Sequence, residues 1–220
     1  MTDPAQRTQH HLDLADWRRR MAAAYQLGSL EAWRAARDRL FREHPESPIP
    51  PADRARFTGL RWFPPDPAYR VPARLEPGDG KALDIDTGGE DGVVRYRRVG
   101  ALAFRLHGRD CSLPVLALVA YGGGLFVPFR DATSGRETYG GGRYLVDTAK
   151  GTHAGCLEIS PGSPEVVIDF NYAYHPSCHY DARWACPLPP PESRLSVPVS
   201  AGEMSWQPPS GLDRAVETPR

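Results

Sequence analysis

From Tyr69 onward the apolar residues fall on alternate positions, in short stretches cut by glycines at 78, 80, 88, 89, 92, 100 and 108. Period-two patterning sends alternate side chains to opposite faces of an extended backbone, so this part of the chain is expected to be strands joined by tight turns. Segments 81–86, 93–99, 102–107, 113–119, 125–129, 165–170 and 195–199 read as the strands, with Pro198 restricting the last to an edge or an end. The glycines at 122–124 suit a hairpin loop. Strands at this spacing favour a β-rich roll, barrel or sandwich over alternating strands and helices.

The front of the chain follows a different period. Leu12, Trp17, Met21 and Tyr25 recur at helical spacing, Gly28 and Ser29 break the run, and Leu30, Trp33, Arg37, Leu40 and Phe41 form a second stripe. Prolines at 45, 48, 50 and 51 end it, because each ring fixes its own φ and biases the preceding residue away from helix. The expected fold is α+β, mainly β. A helical hairpin occupies 1–50, a β-rich domain 51–205, and a flexible tail 206–220.

Charge excludes two classes of partner. Twenty-seven basic residues balance twenty-seven acidic ones, leaving no overall field to draw nucleic acid or an acidic membrane surface. The balance is uneven along the chain: residues 1–75 carry thirteen Arg against nine acids, net +4, and the remainder is net −4. The N-terminus has no apolar stretch behind its positive charge, and the longest apolar run, 113–121, is broken by Pro114, so a soluble cytoplasmic protein is expected. Cys111, Cys156, Cys178 and Cys186 are too few for a disulfide scaffold and are expected as thiols.

Two segments mix polar and aromatic residues without regular period. The first, 129–145, is F-R-D-A-T-S-G-R-E-T-Y-G-G-G-R-Y-L, and it gathers Arg130, Asp131, Thr133, Glu137, Tyr139 and Arg143 around glycines. Such a loop can cradle an anion, although no G-K-[ST] follows to make a nucleotide P-loop. Equally, its arginines can pair with Asp131 and Glu137. The second, 169–195, holds Asp169 and Asn171 at a strand end, then Tyr174, His175, Cys178, His179, Cys186, Glu192 and Arg194. Asp169 and Asn171, two apart, point to one face, toward a pocket or into loop-fixing hydrogen bonds. The spacing of His175, Cys178, His179 and Cys186 does not match a zinc site, and no G-x-S-x-G elbow occurs, so no metal and no cofactor are expected. A thiolate nucleophile at Cys178 helped by His175 or His179 stays open.

H-P-E-S-P-I-P and F-T-G-L-R-W-F-P near the front, the whole 129–145 segment, D-F-N-Y-A-Y-H-P-S-C, C-P-L-P-P-P-E-S-R-L and A-G-E together resemble an uncharacterised prokaryotic family, domain of unknown function 1684. The resemblance covers most of 44–203 and implies a single domain of undetermined activity. It carries over to Asp131, Thr133, Glu137, Tyr139, Arg143, Asp169, Asn171, Tyr174, Cys178, Cys186, Glu192, Arg194 and Glu203. The family pattern has Asn where this chain has His175 and Ser193, a small residue at His179, and Lys at Met204.

The functional expectation is a binding or enzymatic β-rich domain whose pocket is built from 129–145 and 169–195. Arg130 and Arg143 would hold an anionic or carboxylate-bearing small molecule; Tyr139 and Tyr174 would supply stacking and hydroxyl contacts. Asp169 or Glu137 would be the general base, and Asp131, Thr133, Asn171, Glu192 and Arg194 would complete the lining. The alternative is an interaction module that docks a partner through the Arg-rich helices around Arg18, Arg19 and Arg20. Oligomeric state leaves no mark in the sequence.

Overall fold

Ser29 sets the first corner. Its hydroxyl accepts from the amide of Ala32 at 3.0 Å, satisfying a donor that the start of a helix leaves open. This computed structural model, which describes residues 3–89, 92–148, 157–159 and 162–207, thus begins with the expected hairpin of α1 (Pro4–Tyr25) and α2 (Leu30–Glu43). A single turn, α3 (Pro51–Arg54), follows the prolines. Trp33, Arg37, Leu40 and Phe41 are buried along one stripe of α2, as the spacing requires.

Ten strands follow among the described residues: β1 (Arg61–Trp62), β2 (Arg70–Pro77), β3 (Ala82–Asp86), β4 (Val93–Leu106), β5 (Arg109–Leu118), β6 (Leu125–Phe129), β7 (Arg143–Asp147), β8 (Leu157–Ile159), β9 (Glu165–Asp169) and β10 (Glu203–Met204). Strands β1 and β10 pair with each other; the rest form one antiparallel sheet in the order β7-β6-β5-β4-β2-β9-β8, with β3 also on β4. The sheet coils into a nearly closed barrel.

The long strand β4 organises that coil. Its first half, from Val93 to Arg97, pairs with β3; its second, from Gly100 to Phe104, pairs with β2; β5 accompanies both across a bulge between Arg98 and Gly100. The segments read as two strands, 93–99 and 102–107, are therefore one. Gly100 marks an irregularity in a continuous ladder and no turn. The reading of 195–199 as a strand is corrected too. Leu195, Val197 and Val199 are buried in alternation, but the backbone bonds of this stretch run to the 130–132 turn and to side chains instead of a ladder. The last strand is β10. Every residue of β7 is buried, so the sequence held no alternation there to read.

One core joins barrel and hairpin. Met21, Ala24, Tyr25, Trp33 and Leu40 belong to the same buried cluster as Leu102, Leu113, Phe129 and Ile168. The Trp33 ring sits 5.1 Å from both Trp62 and Tyr172. A second cluster, of Phe41, Ile49, Phe57, Leu60 and Tyr180, closes the end of the hairpin, with Trp206 packed against it. Cys156 and the expected tail beyond Gln207 lie outside the described residues. Among the described residues no helix is long and apolar enough to cross a membrane.

Candidate functional site

The 129–145 segment is pinned by Asp131 and Arg143. Asp131 Oδ1 accepts the amides of Thr133 (2.8 Å) and Val199 (3.1 Å), and its Oδ2 accepts from Arg143 Nη2 at 2.9 Å. Arg143 is fully enclosed; it also donates to the carbonyls of Val199, Ala201 and Glu203, and its guanidinium lies 5.1 Å over the Phe129 ring. Both are therefore spent on holding 199–203 against the barrel. Thr133 and Thr138 share a buried hydroxyl contact at 2.9 Å. Glu137 stands exposed at the loop tip; its amide donates to the Thr133 carbonyl and its own carbonyl accepts from the Ser205 amide.

Two glycines permit the close approach. Gly142 has φ +95° and a Cβ there would sit 2.6 Å from the Phe129 carbonyl; Gly202 has φ +78° and a Cβ would sit 2.6 Å from the Ala173 carbonyl. Gly142→Ala and Gly202→Ala are each expected to lower the unfolding free energy by more than about 1 kcal/mol in urea titrations, because both the φ and the space reject a methyl group. Unchanged midpoints would show that these turns relax freely.

In the second segment Asp169 and Asn171 do fall on one side, where they fasten a neighbouring turn. Asn171 is buried and exchanges hydrogen bonds with the backbone of Asp66, accepting its amide at 3.0 Å and donating to its carbonyl at 2.9 Å. Half-buried Asp169 accepts from both the amide and the side-chain nitrogen of Asn171. Exposed Glu192 pairs with Arg98 at 2.9 Å.

The two segments meet. Tyr144 and Tyr174 exchange backbone hydrogen bonds; the amide of Tyr139 donates to His175 Nε2 at 3.1 Å; and the Tyr139 hydroxyl hydrogen-bonds the Cys178 sulfur. Arg130 and Arg194 face each other across a parallel backbone bridge. Arg130 is half-buried with its Nε enclosed and without a hydrogen-bond partner, Arg194 is exposed, and neither has an ion pair among the described residues. Tyr174 contributes its ring as a lid, 4.8 Å from the guanidinium of Arg37.

Behind that meeting lies a buried cluster that loop composition alone did not reveal. Arg37 Nη2 from α2 donates to Glu203 Oε2 at 3.0 Å, and the His175 amide donates to the same oxygen at 3.2 Å. Arg37, Glu203 and His175 are each about 2% exposed or less. Arg37 sits on the apolar stripe of α2, and an arginine on such a stripe requires a buried acid; the A-G-E motif supplies it.

His175 and His179 both use Nε2 as an acceptor, from the amides of Tyr139 and Trp206. Each ring is therefore neutral, with its proton on Nδ1. Burial and the neighbouring Arg143 and Arg37 hold His175 well below the usual histidine range, and burial with His175 4.4 Å away pushes His179 down to about 3. An unfolded chain takes up these protons near the ordinary value, so the stability they confer is complete above about pH 6.5. It is lost as pH falls toward 3. Glu203, pushed up by burial, acts in the opposite sense, so the histidine contribution is read as a difference. Urea midpoints should fall between pH 7 and pH 5, and fall less steeply in His179→Gln. Parallel slopes would place a charged imidazole in the folded state.

Cations elsewhere are mostly paired. Arg19 and Arg20 both bind Asp16, each at 2.6 Å, which holds that carboxyl down at about 2. Of the Arg18–Arg20 run only Arg18 has no partner among the described residues. It borders a cleft of about 420 Å³ between α1 and residues 177–185, lined also by Trp17, Glu46, Arg183 and Trp184. No group of three or more ligand-type side chains capable of holding a metal occurs among the described residues.

The family model described as a protein of unknown function, DUF1684, matches residues 55–204. The chain belongs to that family. Among solved structures the chain is similar to an uncharacterised protein of Haloarcula marismortui solved by solution NMR, 41% identical, covering 80% of this chain and 91% of that one, with a TM-score of 0.60. No curated protein matches. The DUF1684 match contains both loops and Glu203 but leaves out α1 and α2, so the Arg37–Glu203 pair ties the matched region to a hairpin beyond it.

Proposed function

We propose that this DUF1684 chain binds a small anion-bearing molecule where the two loops meet, held by Arg130 and Arg194. The observation that carries the reading is the bridge itself: two arginines are paired across the backbone, and neither has an ion pair among the described residues. Like charges placed directly opposite repel, and a carboxylate or phosphate accepting from both removes the repulsion. Tyr139, close enough to Arg130 to feel its charge, is held as a neutral phenol by burial, which pushes it up to about 12. Arg143 and Asp131 take the role of scaffold, since their hydrogen-bonding capacity faces inward.

The test is titration of inorganic phosphate and of succinate, read by thermal melting and calorimetry. The wild-type protein should gain melting temperature, and Arg194→Ala should weaken binding about tenfold or more. Without anion, Arg194→Glu should itself stabilise by about 0.2–1 kcal/mol, as the repulsion becomes a pair. An anion response that is absent, or equal in wild type and Arg194→Ala, would overturn the proposal.

A further inference from the structure

Cys178 and Cys186 stand eight positions apart at the two ends of a loop that turns back on itself. The amide of Cys178 points at Cys186 Sγ from 3.4 Å, so the second sulfur lies within the reach of the first side chain. Both sulfurs also lie within electrostatic reach of the same two phenols, Tyr139 and Tyr144. Cys186 is buried and Cys178 is half-buried, and both are thiols. We infer that Cys178 and Cys186 form an oxidisable dithiol, with Cys178 as the sulfur that meets a hydroperoxide and Cys186 as the sulfur that resolves it.

The asymmetry of burial assigns the roles. A hydroperoxide from solvent reaches Cys178 first, and the Tyr139 phenol stands beside that sulfur as a hydrogen-bond donor for the reaction. The Cys178 thiolate attacks the near peroxide oxygen; the O–O bond breaks, one oxygen stays as sulfenic acid, and the other leaves as water or an alcohol once protonated. The Cys186 sulfur then attacks the Cys178 sulfur, forming the S–S bond and expelling the sulfenic oxygen as water. Two thiols lose two electrons and two protons, and the hydroperoxide is reduced by the same two electrons. Reduction by a dithiol restores the starting pair. The inference does not depend on the anion site.

The experiment treats the full chain with hydrogen peroxide at neutral pH and maps peptides without reduction. The expected product is an intramolecular Cys178–Cys186 link with the loss of two hydrogens, reversed by dithiothreitol and formed equally by a Cys111→Ser/Cys156→Ser variant. Cys186→Ser should instead accumulate a Cys178 sulfenic acid that dimedone traps. Tyr139→Phe should slow the reaction several-fold while leaving the melting temperature within a few degrees. A link through Cys111 or Cys156, a Cys178 sulfenic acid that persists in wild type, or cross-linking that requires denaturant would each overturn the assignment. An unchanged rate in Tyr139→Phe would remove the part given to its hydroxyl.

Discussion

Replacing Arg143 with Met should lower the unfolding free energy by about 3–5 kcal/mol, measured by urea titration at pH 7.5. The side chain is fully enclosed, and its partner Asp131 is 3% exposed. Removing the guanidinium leaves a carboxylate in the interior with two amides to satisfy it and no countercharge. It also strips the carbonyls of Val199, Ala201 and Glu203 of their donor. Lysine should recover little, because one ammonium cannot match a planar fork that addresses a carboxylate and several carbonyls at once. Asp131→Asn keeps an acceptor for the Thr133 and Val199 amides, so it should cost less than Arg143→Met. The two changes together should be non-additive, with a coupling on the order of 0.5–3 kcal/mol. A loss below about 1 kcal/mol for Arg143→Met would mean that water reaches the pair.

Arg37→Met should be nearly as severe, about 3–5 kcal/mol at pH 8, for a related reason with a different pH signature. The variant leaves Glu203 without its countercharge, but a carboxyl already pushed up by burial can escape by taking a proton. The cost should therefore shrink as pH is lowered. Glu203→Gln has no such escape, since the guanidinium of Arg37, sandwiched 4.6 Å from Phe41 and 4.8 Å from Tyr174, stays charged. Its cost should grow as pH is lowered, because the wild type gains from protonating a carboxyl that burial has pushed up and glutamine has no such group. Identical pH profiles for Arg37→Met and Glu203→Gln would refute the buried pairing of these two groups.

These contrasts show where the sequence was readable. The hairpin was plain because Trp33, Arg37, Leu40 and Phe41 repeat at a helical period and Ser29 caps the start. Strands with one wet face, such as β3 and the first half of β4, were equally plain. What escaped were segments whose surroundings are dry on both sides or whose partners are side chains. β7 is buried on both faces, and 195–199 looks like a strand by alternation but finds Arg143 and the 130–132 turn where a ladder would be. At the site, residue types in the two loops indicated that polar groups gather there. They did not indicate direction: Arg143 and Asn171 turn inward to hold backbone, whereas Arg130 and Arg194 are left side by side. The partner of Arg37 was hidden by a separation of 166 positions along the chain.

That separation bears on synthesis. A ribosome delivers Arg37 long before Glu203, and a guanidinium cannot enter an apolar interior ahead of its acid. Until the A-G-E stretch emerges, the hairpin has to wait with its charged stripe in water, and the barrel has to wait with one end open. Final closure is thus an event of the completed chain, and a truncation even a few residues before Glu203 should yield a product that quality-control proteases clear.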